Sequence, residues 1–506
     1  MKKTFNIFFL MLPPLAVILL YLPALNLALS GDDYQWLQLA HEAMLRPGKL
    51  FADLDTFFRP TSTWTMILER SIWGDRAGGF HLTNIVFHAI ATFLMVLVSR
   101  RLGLSRMTSL IIAALWGCSV FSSEPAIRVA SRHEDLLFIG WLGMMLAWPG
   151  RDERWTRARL IAATSCVLLA LFSKETWIVT PGIALALDAA FRRLPLKRSL
   201  VNFARWLSFS ALYSLIHFLL FPTTRGYFNA TLPLIAKIPH QLSAFFYFET
   251  MVPMNFPFTW QSLLALIVII FLGIFALKQR SMSGAFGLAL LILPVLPTVL
   301  IPYLPTRYTA LPYGGFLLLL SSSSESFLRM LSGHILRFTA VFFILLFAAV
   351  FIAGVVMVQA ELDDASHVSQ AHERLLAEAL PIAGDFPFDR PVLVIRAESD
   401  NPLREIALAA RGLPKIYYVR HADPYGLIDT AALFDWAVKK QDVLIRRFDD
   451  WESRFANSRA AVLVHRSGGF TWMSKDISDL ELAGQQWSAR GFPVRVISAV
   501  AASSPH

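Results

Sequence analysis

The sequence predicts a polytopic α-helical membrane protein that is followed by a soluble α/β domain at its C-terminus. Of the 506 residues, 55% are hydrophobic and only 16% are charged, whereas soluble chains carry about 25% charged residues. Apolar runs that suit membrane spans recur through the first 358 positions. After residue 390, short β-type runs alternate with helical patterns, as in small α/β domains.

Eleven membrane spans are expected within residues 1–358, the first predicted domain. A helical span needs roughly 17–25 mostly apolar residues, and tilting or kinking changes that length. The apolar N-terminus is too long for a typical signal peptide, so it is interpreted as an uncleaved first span. The spans are predicted at 6–29, 80–99, 107–122, 135–149, 159–173, 177–191, 202–221, 261–277, 284–303, 309–323 and 336–358.

The charges of the connections between spans predict the orientation of the chain. The formal net charge is +10, and much of the excess lies in the connections 99–106, 150–159, 191–198 and 278–280. Cytoplasmic loops are enriched in Lys and Arg, so these connections are expected to be cytoplasmic. The sequence therefore predicts a bacterial inner-membrane protein with a cytoplasmic N-terminus and a periplasmic C-terminal domain. Because topology accounts for the basic residues, no nucleic-acid partner is predicted.

The first outer loop is long, and it is expected to be structured. The stretches "DDYQWLQLAHEAML" and "RPTSTWTMILERSIWG" place apolar residues at helical spacing. Amphipathic helices of this kind lie in the interface plane of a membrane. Asp32 or Asp33 suits the N-cap of the first of them.

The C-terminal part divides into a helical linker at 359–389 and an extracytoplasmic α/β domain at 390–506. Its strands are predicted at "PVLVIRA", "KIYYVRH", "AAVLVHR" and "FPVRVIS". This part contains neither a Gly-rich phosphate loop nor a nucleophile elbow. Its sequence therefore predicts a fold without assigning an activity.

No residue set in the sequence predicts a metal site or a disulfide framework. Cys118 and Cys166 both lie within apolar runs, and their spacing matches no metal motif. His81 and His88 share one face of the second predicted span, where packed or interfacial polar side chains are commoner than metal ligands. No cofactor is expected to be required; a divalent metal is compatible with the sequence but is not indicated by it.

Polar residues gather in five places at the predicted outer ends of the spans. Charge beside a bilayer is costly and usually functional, so a shared site is plausible. The residues are Asp32 and Asp33; Arg59; Glu124, Arg128, Arg132, His133, Glu134 and Asp135; Lys174 and Glu175; and Arg307 and Tyr308.

This mixture of residue types suits transfer from a phosphate-linked lipid donor at the outer face. Arg and Lys bind phosphate, Arg in a bidentate fashion. A carboxylate can serve as general base for an acceptor hydroxyl or amide. A phosphate leaving group also needs positive charge as its bond breaks.

Each of these residues also has a structural interpretation. The paired acids and the acidic start of the fourth span can be helix caps. Arg132 and Lys174 can be interfacial anchors whose charged ends reach water. Arg59, which precedes Pro60, can be a turn residue. Spacing alone leaves these alternatives open.

The order of the motifs resembles the membrane part of the transmembrane, TPR-containing O-mannosyltransferases and their bacterial relatives. The resemblance runs over about residues 30–320 and is carried by an ordered set of segments. These are "FRPTSTWTMILERSIWG", "GGFHLTNIVFHAIATFLMVLVSRRL", "SSEPAIRVASRHEDLL", "FSKETWIVTPGIALALD" and "TRYTALPYGGFLLLL". Ala310 replaces a Tyr of the family pattern, and the chain has no TPR repeats.

The resemblance implies a C-type glycosyltransferase fold with its active site at the outer face of the membrane. By position, Asp32 or Asp33 is the expected catalytic carboxylate, and Arg307, Lys174 and Arg132 are expected to bind the donor phosphate. Other residues are expected to line the site, namely Arg59, Glu124, His133, Glu134, Asp135, Glu175 and Tyr308.

The implied activity is a hexosyl- or mannosyltransferase reaction that inverts the sugar carbon. The expected partners are a polyprenyl-phosphate sugar donor, membrane lipids, and a protein or glycan acceptor. One alternative is a lipid-linked glycan flippase or transporter, whose inverted repeats and midplane charges are missing from the sequence. Another is an O-antigen ligase or polymerase, which would place its large outer loop late in the chain.

Overall fold

The structure is a computed structural model of the whole chain. It describes residues 9–29, 32–51, 58–74, 76–150, 153–189, 196–220, 260–279, 281–300, 306–383, 392–396, 415–418, 460–466 and 469–477. The chain forms two compact units. The first comprises Met1–Leu27 and Gly48–Ala365, and the second comprises Ala28–Pro47 and Ser366–His506.

Among the described residues, the first unit is helical. Its helices are α1 (Leu12–Tyr21), α3 (Pro60–Trp73), α4 (Ala77–Arg101), α5 (Arg106–Gly117), α6 (Val120–Ile127), α7 (His133–Ala147), α8 (Arg157–Leu171), α9 (Thr180–Leu187), α10 (Leu196–Leu220), α11 (Trp260–Lys278), α12 (Met282–Ile292), α13 (Ala310–Leu328) and most of α14 (Gly333–Ala383). Short 3-10 helices lie at Leu22–Asn26, Pro47–Phe51, Val129–Arg132, Glu175–Val179, Leu293–Leu300 and Thr306–Thr309.

Within the described residues, two helices are long and apolar enough to cross a membrane, Ala77–Arg101 and Gly333–His367. The helices α5 and α6 pass the same test together, but they meet at an angle of 60°. Each predicted span has helical structure within its range, although several are shorter or broken. The count of eleven spans stays a prediction.

Large aromatic side chains fill the core of the first unit. Trp116 stacks on Phe138 with ring centroids 4.5 Å apart, and its indole nitrogen donates to the carbonyl oxygen of Ala310 at 2.8 Å. Trp141 is fully buried and donates to the hydroxyl of Thr180 at 3.0 Å. These bonds satisfy the polar edges of buried rings, and they fix how α5, α7, α9 and α13 pack.

The helix α14 joins two predicted elements. A span is predicted to end at residue 358 and a helical linker to follow at 359–389, and one helix runs without a break from Gly333 to Ala383. The segment "ELDDASHVSQAHERLLAEAL" is polar and contains neither Pro nor Gly. The drop in hydrophobicity along this segment therefore indicates that the surroundings of the helix change, whereas the helix itself continues.

The second unit contains α2 (Asp32–Leu45) and four strands, β1 (Val392–Arg396), β2 (Lys415–Tyr418), β3 (Ala460–Arg466) and β4 (Gly469–Ile477). The strand order is β2-β1-β3-β4, with β1 parallel to β3 and both outer pairs antiparallel. Three strands coincide with predicted ones, whereas β4 was not predicted. The stretch "FPVRVIS" and the predicted helices between the strands lie outside the described residues. The α/β domain thus stays a prediction.

Candidate active site

Arg59 is held at the start of α3 by the local backbone. Pro60 occupies the first turn of the helix, and the residue before a proline avoids the helical region. Arg59 accordingly has a non-helical backbone, with φ −133° and ψ 62°. The amide of Thr61 donates to the carbonyl oxygen of Phe172 at 3.1 Å, which joins the start of α3 to the end of α8. This contact brings the Arg59 side chain to the segment that contains Lys174 and Glu175.

The Arg59 guanidinium contacts Glu175 and His133. Its Nε and Nη2 donate to the two carboxylate oxygens of Glu175 at 3.1 and 2.8 Å. Its Nη1 lies 3.1 Å from Nε2 and 3.2 Å from Nδ1 of His133. Nδ1 of His133 also lies 2.9 Å from the carbonyl oxygen of Ala130. The His133 ring thus lies between that carbonyl group and the Arg59 guanidinium.

Lys174 is the second cation of the site, and its side chain is only 2% exposed. Its ammonium forms an ion pair with Glu134. The same Nζ lies 3.9 Å from the centroid of the Tyr308 ring, which is a cation–π contact. Glu134 Oε1 also lies 3.8 Å from Nε2 of His133.

These contacts close a loop of five side chains, which we call the charged ring: Arg59, His133, Glu134, Lys174 and Glu175. His133 and Glu134 are neighbours in the chain, and so are Lys174 and Glu175. The ion pair between Lys174 and Glu134 joins these two pairs of neighbours. Arg59 joins them a second time, because it contacts both His133 and Glu175. Within the ring, two cations and two carboxylates cancel. Such a ring can hold an anion only if one of its ion pairs rearranges.

The packing of α7 against α8 brings the two halves of the charged ring together. His133 and Glu134 form the first turn of α7, and Lys174 follows the end of α8. A Cβ atom at Gly140 would lie 2.7 Å from the carbonyl oxygen of Cys166, so the two backbones approach as closely as a glycine allows. Small residues permit such approaches between membrane helices.

Arg132 forms a second buried pair beside the charged ring. Its Nη1 binds Glu69 of α3, and the same nitrogen donates to the Thr65 hydroxyl at 3.3 Å. Burial raises the pKa of Glu69, and the Arg132 guanidinium opposes this shift. Among the described residues, Nη2 of Arg132 and Oε2 of Glu69 have no hydrogen-bond partner. Glu69 is not among the predicted site residues, although it is an isolated acid in an amphipathic stretch.

Asp135 and Glu124 are engaged elsewhere. Asp135 faces Nδ1 of His88 at 3.0 Å, and Nε2 of His88 faces the carbonyl oxygen of Gly117 at 3.0 Å. The pair joins α4 to α7 inside the core. Glu124 accepts from the Ser131 hydroxyl at 3.1 Å, and the neighbouring Ser123 binds Glu361 of α14.

Three predicted residues cannot be placed relative to the charged ring. Asp32 and Asp33 form the start of α2, which belongs to the second compact unit. The Asp33 side chain is buried, and that of Asp32 lies outside the description. Arg307 lies in the 3-10 helix Thr306–Thr309, and its side chain is also outside the description. Their roles stay predictions.

The described part of the chain contains no group of three or more His, Cys, Asp or Glu residues that could hold a metal ion. The acids and the imidazole of the charged ring bind Arg59 and Lys174 instead. Arg59 and Lys174 can stabilise the charge of an anion, and the carboxylates of the charged ring can transfer protons.

Comparison with known proteins gives a likeness in structure only. No protein-family model and no curated protein sequence matches the chain. Among solved structures, the chain is similar to ArnT from Cupriavidus metallidurans, both in the apo state and bound to undecaprenyl phosphate. Each match has 12% sequence identity and a TM-score of 0.44, and it covers 92% of this chain and 94% of the other. At this identity and TM-score, the likeness assigns neither a residue role nor an activity.

Proposed function

We propose that this chain is an integral-membrane glycosyltransferase. It transfers a sugar from a polyprenyl-phosphate-linked donor to a protein or glycan acceptor at the outer face of the membrane. The observation that supports this proposal best is the charged ring, in which buried Arg59 and Lys174 lie beside carboxylates at the end of two apolar helices. Charges in such a position are costly and usually serve function.

In the proposed reaction, Lys174, Arg307 and Arg132 hold the phosphate of the donor. The bond between the sugar and this phosphate breaks in the reaction, and negative charge grows on the phosphate oxygens. Fixed cations in a water-poor site stabilise that charge more strongly than water does. Because these side chains supply the positive charge, the proposal gives no role to a metal ion.

Asp32 or Asp33 is the proposed general base. It takes the proton from the acceptor hydroxyl or amide while that group attacks the sugar carbon from the side opposite the phosphate. A single displacement of this kind inverts the configuration at that carbon. The other acid of the pair lies in the first turn of α2, where negative charge complements the helix dipole.

The motif order favours a hexose, and mannose in particular, as the transferred sugar. The polyprenyl chain of the donor is proposed to lie along the apolar outer loops. The acceptor is proposed to be held by the soluble part at 390–506 on the periplasmic side of a bacterial inner membrane.

The test uses membranes that contain the full chain and a panel of radiolabelled polyprenyl-phosphate hexoses. Wild-type membranes should transfer label from one of these donors. Replacing both Asp32 and Asp33 by Ala should lower transfer by about 10²–10⁴-fold, the usual contribution of a general base. The matched control is Asp363→Ala, because Asp363 is an exposed acid on α14. Transfer that persists in the double variant would refute the base, and wild-type membranes inactive with every donor would refute the function.

A further inference from the structure

The ammonium group that is proposed to hold the donor phosphate is already neutralised. Lys174 is buried, forms an ion pair with Glu134 and lies over the Tyr308 ring. A phosphate that approached this intact pair would meet the Glu134 carboxylate as well as the ammonium. Like charges in a buried site repel strongly. Lys174 must therefore exchange one anion for the other.

The two ion pairs of the charged ring differ in geometry. Two nitrogens of Arg59 bind the two carboxylate oxygens of Glu175, and its third nitrogen contacts the His133 ring. Lys174 binds Glu134 through its ammonium group. An ammonium has three rotatable donors and can change partners by a small rotation of its side chain.

Release of Lys174 changes the surroundings of Glu134. Its side chain is 5% exposed, and an unpaired buried carboxylate is costly unless it takes up a proton. The charged and titratable groups around it are His133 on the same helix, Lys174 beyond α8, and Arg59 with Glu175 behind His133. A proton on Nε2 of His133 would face the Arg59 guanidinium, which lies 3.1 Å away. The Glu134 carboxyl group is the better place for the proton.

We propose that Glu134 is the exchangeable partner of Lys174, and that phosphate binding at Lys174 is coupled to the uptake of one proton by Glu134. This inference rests on the proposed function, because it assigns the phosphate to the donor lipid. The proton comes from solvent when the phosphate binds, and it returns when the phosphate leaves. Glu134 is thereby a positioning residue that keeps Lys174 neutralised while the site is empty.

The experiment is calorimetric titration of the full-length protein in lipid nanodiscs with farnesyl phosphate, a short polyprenyl phosphate. Repeating the titration in buffers of different ionisation enthalpy gives the number of protons taken up. The wild-type protein should take up about one proton per ligand, and its affinity should fall as the pH rises. Glu134→Gln mimics the protonated acid, so it should take up none beyond the ligand's own titration. It should also bind at least about tenfold more tightly at pH 8, because no carboxylate competes for Lys174.

The controls separate this inference from the proposed function. Glu153→Gln changes an exposed acid in the loop after α7 and should behave like the wild-type protein. Farnesol lacks the phosphate and should not bind with proton uptake. Inorganic phosphate that binds with the same proton uptake, when farnesyl phosphate does not bind, would support the exchange at Lys174 and contradict a lipid donor.

Two results would overturn the inference and leave the proposed function standing. One is binding of farnesyl phosphate to the wild-type protein without proton uptake. This measurement tests the inference even if the Glu134→Gln protein fails to fold. The other is a folded Glu134→Gln protein whose affinity and proton uptake match those of the wild type. If the wild-type protein binds neither farnesyl phosphate nor inorganic phosphate, the proposed function fails together with the inference.

Discussion

The Arg59 side chain joins the start of α3 to two other parts of the chain, because its planar guanidinium can serve two partners at once. Two of its nitrogens donate to Glu175, and the third contacts the His133 ring. A lysine at this position would keep the charge and lose the fork geometry. The shape of the group, in addition to its charge, therefore holds the charged ring together.

At the residue scale, we predict that Arg59→Lys lowers sugar transfer by at least about tenfold, because Arg and Lys are not interchangeable at a bidentate site. The folded protein should also be less stable by about 1–3 kcal/mol, since hydrogen bonds to a buried charge are lost. Transfer assays and thermal unfolding in detergent micelles measure the two effects. Arg329→Lys is the matched control, because the Arg329 side chain is 74% exposed. Equal activity of both variants would contradict the role given to Arg59.

The sequence indicates candidate residues for the site, but it does not predict which of them contact one another. Charged residues at the ends of apolar runs are conspicuous, and this singled out Arg59, His133, Glu134 and Lys174. Their pairing depends on which helices pack together. Arg132, for example, binds Glu69, which lies 63 positions earlier in the chain. Hydropathy gives no information about contacts over such separations.

At the scale of elements, the crossing of α12 and α13 depends on glycines that no side chain can replace. A Cβ atom at Gly315 would lie 2.7 Å from the carbonyl oxygen of Gly287 and would also overlap the amide of Leu291. Both neighbours are backbone atoms in helices, so neither can move without distorting its helix. The hydroxyl groups of Ser283 and Ser322 are 2.8 Å apart in the same contact. Such close packing of small residues is typical of membrane helices.

We therefore predict that Gly315→Ala destabilises the folded protein by about 1–3 kcal/mol, the usual cost of overpacking. The matched control is Gly273→Ala in α11, where the added Cβ would meet only the flexible side chain of Leu288 at 3.4 Å. Thermal unfolding of the purified variants in detergent micelles measures the difference. If the two variants unfold at the same temperature, the α12–α13 crossing is looser than the structure indicates.

The positions of long helices were predicted more accurately than their breaks. The helices α4, α7 and α8 begin and end within about three residues of predicted spans. By contrast, the span predicted at 107–122 breaks between α5 and α6, where Ser119 caps the new helix by accepting from the amide of Phe121 at 3.2 Å. Hydropathy reports where lipid or core surrounds a helix. A bend needs only a local capping bond, which leaves average hydropathy unchanged.

At the scale of the whole membrane unit, the charged ring and the basic connections lie at opposite ends of the same helices. The helix α7 begins at His133 in the ring, and the residue after it, Trp148, accepts a bond from Arg101. Arg159 lies in the first turn of α8 and binds Glu153, and the helix ends just before Lys174. Each helix has 15 residues, so about 22 Å separates its two ends. The basic end is expected to be cytoplasmic, and the charged ring then faces the outer side.

This arrangement predicts which side of the membrane each end occupies, and labelling can test it. In a background with Cys118→Ala and Cys166→Ala, one new cysteine is introduced at a time. Arg128→Cys lies at the ring end, where the Arg128 side chain is 64% exposed. Arg154→Cys lies at the basic end and is also exposed. In spheroplasts, which expose the outer face of the inner membrane, a membrane-impermeant maleimide should label the protein with Arg128→Cys. It should label the protein with Arg154→Cys only after the membrane is permeabilised. The reverse pattern would place the charged ring on the cytoplasmic side, where the proposed use of a donor at the outer face could not operate.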